Sequence, residues 1–153
     1  MELVDKPLPV PGPGEVRVRL AAIGVNLIDT YHRSGLYPIP LPSGLGVEAA
    51  GEVEAVGDGV DLPVGTRVAM SMALGTYAEA IVLPAAALIT LPGSVTFEQA
   101  AAVLLKGMTV DYLFHDTFPV KQGDTVLFHA AAGGVGLIAV SYTHLTLPTT
   151  DRG

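Results

Sequence analysis

The chain has 153 residues, half of them apolar, which suits one domain or one domain followed by the beginning of another. Its formal net charge is −7 and its eight Lys and Arg residues are scattered, which argues against a nucleic-acid-binding surface. The absence of cysteine excludes disulfides, thiolate chemistry and cysteine-ligated zinc. No apolar stretch is long enough for a membrane span and the first residues lack signal-peptide features, so we expect a cytoplasmic protein without a membrane partner.

The first half of the chain has the pattern of β-structure. A proline-rich arm at 7–13 can be neither a helix nor a central strand. Residues 15–20 alternate between apolar side chains and arginines, which predicts a half-buried strand. Turn signals rich in glycine and proline separate further strands, predicted at 49–56, 67–71 and 77–83. Short strands at this spacing predict a small, irregular β-barrel.

Two helices are predicted in the middle of the chain. The first covers 97–105, with Thr96 as its N-cap and Gln99 three residues later to complete a capping box. The second is a bridging helix at 109–117, which ends before Pro119.

A strand predicted at 125–129 runs into the glycine-rich turn 131–136, which reads Ala-Ala-Gly-Gly-Val-Gly. A strand, a glycine turn and an apolar helix start are typical of a site where main-chain amides bind a pyrophosphate. Ala131 stands in place of the first glycine of the G-x-G-x-x-G pattern, and a plain turn is the alternative. Two of the glycines would admit phosphates and the last would let the helix pack on the strand. The candidate cofactor-binding residues here are Gly133, Gly134, Val135 and Gly136.

The composition changes after Ala139. The run 140–150 resembles the in-frame translation of a sequencing-library adapter, with a genuine threonine-rich loop as the alternative. Its threonines, β-branched residues and proline disfavour a helix. We therefore expect the helix to stop after Ala139 and 140–153 to be a non-native tail that carries no functional argument.

A second candidate site follows the first predicted strand. Residues 26–31 place an amide, a carboxylate, a hydroxyl and a phenol close together, where binding loops often form. From the residues alone, a purely local role of Asn26 and Asp29 in backbone turns is equally consistent.

Several motifs occur in one order: Asn-Leu-Ile-Asp-Thr-Tyr-His-Arg-Ser-Gly-Leu-Tyr at 26–37, Pro-Ser-Gly-Leu-Gly-Val-Glu-Ala-Ala-Gly at 42–51, Leu-Lys-Gly-Met-Thr-Val at 105–110 and Phe-His-Ala-Ala-Ala-Gly-Gly-Val-Gly at 128–136. With them the chain resembles the quinone oxidoreductases, the zinc-free branch of the medium-chain dehydrogenase/reductase superfamily. It is most similar to bacterial NADPH:quinone reductases, over about 3–139.

This resemblance implies a mixed β and α/β fold. Residues 1–105 would form a GroES-like β-barrel, the catalytic and substrate domain, whose N-terminal strand is missing. Residues 106–139 would be the bridging helix and the first strand and glycine turn of a truncated Rossmann NADPH-binding domain. The family's active site lies in the cleft between these domains, and its members are commonly homodimers through the Rossmann sheet.

The resemblance also implies hydride transfer from NADPH to a quinone or another small electrophilic substrate. It assigns the nicotinamide side of the site to residues 26–31: Asn26, Leu27, Ile28, Asp29, Thr30 and Tyr31. Tyr31 and Asn26 would be the catalytic hydrogen-bond donors, whereas Asp29 would orient the loop. Thr109, at the start of the bridging helix, would contact the nicotinamide, and Lys106 is expected to be solvated rather than a phosphate contact.

The same comparison predicts that no zinc is bound. The positions of two zinc ligands in the metalloenzyme branch are taken by Asn26 and Val47, neither a credible ligand. Three histidines, His32, His115 and His129, are too dispersed in the sequence to suggest another metal site.

Three alternatives stay open. Related reductases act on activated C=C bonds of enals or enoyl thioesters, and other zinc-free relatives are crystallin-like structural proteins that bind nucleotide without turnover. Residues 1–105 could also be an independent binding module. We expect the 153-residue piece itself to be inactive, because its strand with Val126, Leu127 and Phe128 has no sheet neighbours. The residue that would select NADPH or NADH is expected about twenty positions beyond the turn, past Gly153.

Overall fold

The computed structural model describes residues 2–121 and 123–145, with side chains as far as Ser141. The chain divides into two compact units, Met1–Leu104 and Leu105–Gly153. Each unit has its own apolar core, and each is described separately below.

The first unit is built on a five-stranded antiparallel sheet. Its strands are β1 (Glu15–Gly24), β2 (Glu48–Val56), β3 (Arg67–Ser71), β4 (Ala80–Pro84) and β5 (Ile89–Thr90), in the order β4-β1-β2-β3-β5. Helix α1 (Leu27–Ser34) follows β1 directly, and a single 3₁₀ turn (Ala85–Ala87) separates β4 from β5.

The alternation predicted for β1 is confirmed. Val16 and Val18 are fully buried in the main core of the sheet. On the opposite face, Arg17 Nε donates to Glu54 Oε2 at 2.8 Å and Arg19 Nη2 donates to Glu52 Oε2 at 2.6 Å, across the β1–β2 pair. The period-2 pattern of the sequence therefore reports the two faces of this strand.

The sheet differs from the prediction in its closure. Within the part of the chain that the structure describes, β4 and β5 are open edges, whereas the sequence pattern predicted a barrel. A barrel needs its edge strands to pair with each other, and β5 has only two residues with which to do so. The strand predicted at 77–83 begins later, at Ala80, because residues 75–77 are hydrogen-bonded to the loop before β2.

Helix α2 (Phe97–Asp111) begins with the predicted capping box. The Gln99 N–H donates to Thr96 Oγ1 at 3.1 Å, and the Thr96 N–H donates to Gln99 Oε1 at 2.9 Å. The predicted break between 105 and 109 was wrong, because α2 is continuous to Asp111 and passes into a π-helical turn, Tyr112–Thr117. Gly107, the weakest helix former in that interval, costs about 1 kcal/mol against alanine, which is too little to end a packed helix.

The second unit contains the end of α2, the π-helical turn and helix α3 (Gly134–Leu145), around a small core of Val110, Phe114 and Ala139. The predicted strand at 125–129 does not form: 125–128 are irregular and His129 lies in a turn. A strand needs a neighbour to satisfy its backbone groups, and all five described strands belong to residues 15–90.

The prediction that the helix stops after Ala139 was also wrong, since α3 continues to Leu145. The Ser141 hydroxyl donates back to the Leu137 carbonyl at 3.2 Å, a contact compatible with helix. β-branched residues weaken a helix by only tenths of a kcal/mol each, and the first strong helix breaker in this run is Pro148. The non-native origin proposed for 140–153 stays a prediction, and residues 146–153 lie outside the described part.

Candidate functional site

The first cluster of polar side chains is organised by the start of α1. Asn26 is the N-cap, with extended backbone at φ −131° and ψ 151°. Its N–H donates to Asp29 Oδ2 at 2.8 Å, while the Asp29 N–H donates to the Asn26 carbonyl at 3.0 Å. These two bonds close the first turn of the helix, which is the local role that the sequence offered as an alternative for both residues.

The side chain of Asn26 points to a buried carboxylate on β2. Its Nδ2 donates to Glu48 Oε2 at 2.8 Å, and Glu48 is fully buried. Gly24 permits this arrangement, because a Cβ at that position would overlap the Glu48 carboxylate and the Ala101 carbonyl. The amide of Asn26 therefore has a fixed orientation.

Asp29 is the second buried carboxylate of the cluster, 4% exposed. Besides the Asn26 N–H, its Oδ2 accepts a hydrogen bond from the Tyr77 hydroxyl at 2.8 Å. Desolvation, this hydrogen bond and the negative charge of Asp29 raise the pKa of Tyr77 to about 12. The phenol is therefore a donor over the whole physiological range of pH.

Tyr31 lies two residues after Asp29 on α1 and is half-buried. Its ring meets the edge of the Tyr37 ring, with centroids 5.1 Å apart and an interplanar angle of 62°. Among the described residues, none forms a hydrogen bond with the Tyr31 hydroxyl, which leaves this group available to a bound molecule. Leu27 is largely exposed, Ile28 is half-buried, and the Thr30 hydroxyl donates to the Leu27 carbonyl at 2.7 Å.

The second cluster is the glycine turn of the other unit. Gly133 and Gly134 are exposed, and α3 begins at Gly134. The Gly133 N–H donates to the Ala130 carbonyl at 2.8 Å and the Leu137 N–H donates to the Gly133 carbonyl at 2.9 Å. No described residue accepts a hydrogen bond from the N–H groups between them, which belong to Gly134, Val135 and Gly136.

Three features shape this turn for a close ligand. Ala130 has a positive φ of 56°, which turns the chain sharply into α3. Gly136 is buried, and a Cβ there would overlap the backbone of Ala131. Successive unpaired amides at a helix N-terminus fit an anionic phosphate group.

Lys106 and Thr109 lie on α2, close to the boundary of the second unit. The methylene stem of Lys106 packs against Gly134, so this residue is half-buried rather than merely solvated. Thr109 was predicted to begin a helix, but it lies inside α2. Its hydroxyl donates to the Leu105 carbonyl at 2.8 Å. That bond occupies the hydroxyl hydrogen, because helix interiors offer threonine the i−4 carbonyl as an acceptor.

The described residues contain no group of three or more His, Asp or Glu side chains that could hold a metal ion. Within the same residues, no helix is both long and apolar enough to cross a bilayer. The lack of zinc stays a prediction.

Comparison with known proteins identifies the first unit. Residues 12–93, more than half of the chain, match the model of the alcohol dehydrogenase GroES-like domain. The chain belongs to this family. The match includes the cluster around Asn26, Asp29, Glu48 and Tyr77 but ends before the glycine turn.

The GroES-like chain is similar to quinone oxidoreductases along most of its length. It is 60% identical over 135 residues to a quinone oxidoreductase of Pseudomonas aeruginosa, which covers 86% of this chain and 42% of that protein. The quinone oxidoreductase of Pseudomonas syringae pv. Tomato is 58% identical, with a TM-score of 0.89 over 93% of this chain and 45% of that one. That of Escherichia coli, solved in complex with NADPH, is 50% identical, with a TM-score of 0.89 over 92% and 44%. The chain thus spans less than half the length of these relatives.

A 2-haloacrylate reductase of a Burkholderia species is 50% identical over 141 residues, which covers 86% of this GroES-like chain and 42% of that protein. The similar proteins thus include one named for the reduction of 2-haloacrylate.

Two residues of the GroES-like cluster, Glu48 and Tyr77, were not among the sequence-predicted site residues. Glu48 lies 22 residues from its partner Asn26, and Tyr77 lies 48 residues from its partner Asp29. Only the β1–β2 register and the turn before β4 bring them to the start of α1. The sequence signal for Glu48 was a glutamate between the apolar residues Val47 and Ala49, just before a predicted strand.

Proposed function

We propose that the chain is part of an NADPH-dependent quinone oxidoreductase that works without zinc. The observation that carries the proposal is the exposed glycine turn at the start of α3, whose three amides have no described partner. The E. coli relative solved with NADPH supports the choice of coenzyme. We assign the pyrophosphate to the amides of Gly134, Val135 and Gly136, and 106–139 to the beginning of a Rossmann domain.

The nicotinamide is assigned to residues 26–31. Bound NADPH supplies a hydride from C4 of its nicotinamide ring. The Tyr31 hydroxyl donates a hydrogen bond to the quinone oxygen on which negative charge develops, and a proton from solvent water then completes the quinol. Asn26, with its amide oriented by Glu48, contacts the ring, and Asp29 holds the segment rather than acting as a base.

The proposal also covers the partners, the location and the oligomeric state of the protein. A net charge of −7 with scattered basic residues supports a protein that does not bind nucleic acid. Relatives of this type lead us to propose a cytoplasmic homodimer.

The test uses a hybrid protein in which residues 12–139 of this chain replace the matching residues of the P. aeruginosa quinone oxidoreductase. We expect saturable NADPH binding in calorimetry and NADPH oxidation with a quinone. Absence of saturable binding would refute the proposal, and binding with no turnover on any acceptor would favour a nucleotide-binding structural protein.

Reduction of activated C=C bonds is the second candidate, and the 2-haloacrylate reductase relative favours it. Side-by-side assays of the hybrid with a quinone and with an α,β-unsaturated carbonyl compound separate the two. A higher kcat/KM for the quinone is expected; the reverse order would reassign the substrate.

Tyr31→Phe in the hybrid should lower kcat/KM for the quinone about 100- to 1,000-fold, since one lost donor to a developing oxyanion costs about 3–4 kcal/mol. Tyr112→Phe is the matched control, because Tyr112 is an exposed tyrosine of the π-helical turn. Equal kinetics of the two variants would remove Tyr31 from the site.

A further inference from the structure

The Asp29 carboxylate fixes the start of α1 through hydrogen bonds to only one of its two oxygens. Oδ2 accepts both the Asn26 N–H and the Tyr77 hydroxyl, each at 2.8 Å. Oδ1 is buried and has no hydrogen-bond partner among the described residues. The orientation of the carboxylate therefore depends on two hydrogen bonds, and loss of either leaves it held by a single one.

Tyr77 is itself held in place by backbone hydrogen bonds between two loops. Its N–H donates to the Leu45 carbonyl at 2.8 Å, and the Gly75 N–H donates to the Gly46 carbonyl at 2.9 Å. Gly46, at φ +88°, leaves room for the Tyr77 ring, which a Cβ at this position would overlap. The phenol thus approaches Asp29 from a fixed support, although it lies 48 residues away in sequence.

The hydrogen bonds continue past Asp29. Asn26, whose N–H reaches the carboxylate, also donates through Nδ2 to the buried Glu48. The first turn of α1 is therefore anchored at two points: by Glu48 on β2, and by Tyr77 through Asp29.

We propose that Tyr77 is a positioning residue: its hydroxyl, acting through the Asp29 carboxylate, holds residues 26–31 in the conformation that binds the nicotinamide cofactor. The inference rests on the proposed function for its link to the cofactor, but not for its account of the turn. Tyr77 touches neither cofactor nor substrate in this scheme.

The test is Tyr77→Phe in the hybrid protein, which removes one hydroxyl and keeps the ring that packs beside Gly46. We expect the Kd for NADPH to rise on the order of tenfold, equivalent to about 1.4 kcal/mol. We also expect faster hydrogen exchange at the backbone N–H of Asn26, with unchanged exchange at the backbone N–H groups of Val53 and Val68 in the sheet core. Tyr112→Phe should change neither quantity.

A second variant separates positioning from a general effect on stability. In an Asp29→Asn background, Tyr77→Phe should add little to the Kd, because the acceptor through which the phenol acts has already been altered. An equally large effect in both backgrounds would overturn the inference, as would an Asn26 exchange rate and a Kd that match those of Tyr112→Phe.

The two proposals fail separately. If the unmodified hybrid shows no saturable NADPH binding, the proposed function fails, while exchange at the Asn26 amide still decides whether Tyr77 holds the turn. If Tyr77→Phe speeds that exchange but leaves the Kd unchanged, the link from this turn to the cofactor is overturned.

Discussion

At the scale of single residues, the cluster at the start of α1 is a set of paired and unpaired polar atoms. Asn26 and Asp29 satisfy each other, and each also reaches a partner distant in sequence. Tyr31 differs, because its hydroxyl has no described partner. The Tyr31 hydroxyl, without a described partner, lies on the same helix turn that the carboxylates of Asp29 and Glu48 hold by hydrogen bonds. This is the arrangement expected of a hydrogen-bond donor on a rigid support.

The raised pKa of Tyr77 predicts a pH dependence of stability. Below about pH 10 the Tyr77 phenol is protonated in both folded and unfolded chains, so its contribution to the free energy of unfolding is fully present. Between pH 10 and about 12 the unfolded chain releases this proton while the folded chain keeps it, so the free energy of unfolding falls.

Absorbance at 295 nm during alkaline titration of the hybrid should show one late tyrosine that disappears in Tyr77→Phe. Thermal melts of Tyr77→Phe should lose less stability between pH 10 and 11.5 than those of the unmodified hybrid. Identical difference titrations for Tyr77→Phe and Tyr112→Phe would contradict this assignment.

At the scale of elements, the sequence predicted local structure well where the pattern was periodic or capped. The β1 alternation and the Thr96–Gln99 capping box are both confirmed. The end of α2 and the length of α3 were predicted wrongly, because both depend on packing that outweighs weak propensities. At 125–128 a strong β-propensity is not enough, since this apolar run has no partner strand among the described residues and stays irregular.

The capping box gives a prediction for α2. Thr96→Ala removes the acceptor of the Gln99 N–H and should lower the free energy of unfolding by about 1 kcal/mol. Urea denaturation of the hybrid measures the change, and Ser94→Ala, an exposed site just before the helix, is the control. A loss below 0.3 kcal/mol, roughly the scatter between such measurements, would show that the box contributes nothing.

At the scale of the whole molecule, each of the two units carries one candidate site: residues 26–31 in the first and the glycine turn in the second. The sequence identified the candidate segment 26–31 and the glycine turn, because residue type and spacing are local information. It missed Glu48 and Tyr77, because only the strand register and the loop pairing at Leu45 and Gly46 join them to Asn26 and Asp29. Long-range pairing is the part of a site that one sequence does not display.

The 153-residue chain expressed alone should self-associate. Leu127 is 84% exposed in a segment that pairs with no described strand. It lines an apolar cavity of about 480 Å³ together with Phe114, Phe118 and Phe128. Light scattering after size exclusion should show oligomers that grow with concentration, and Leu127→Lys should reduce them. A monomer with a cooperative melt at high concentration would contradict this expectation.

Gly46 limits which side chains positions 46 and 77 can carry together in this chain. A side chain at 46 and an aromatic ring at 77 would compete for one volume, and the positive φ at 46 already penalises every residue except glycine. A side chain at 46 would therefore require a smaller residue at 77, which would also take the hydroxyl away from Asp29. The steric fit between the two loops and the hydrogen bond to Asp29 therefore depend on the same pair of residues, Gly46 and Tyr77.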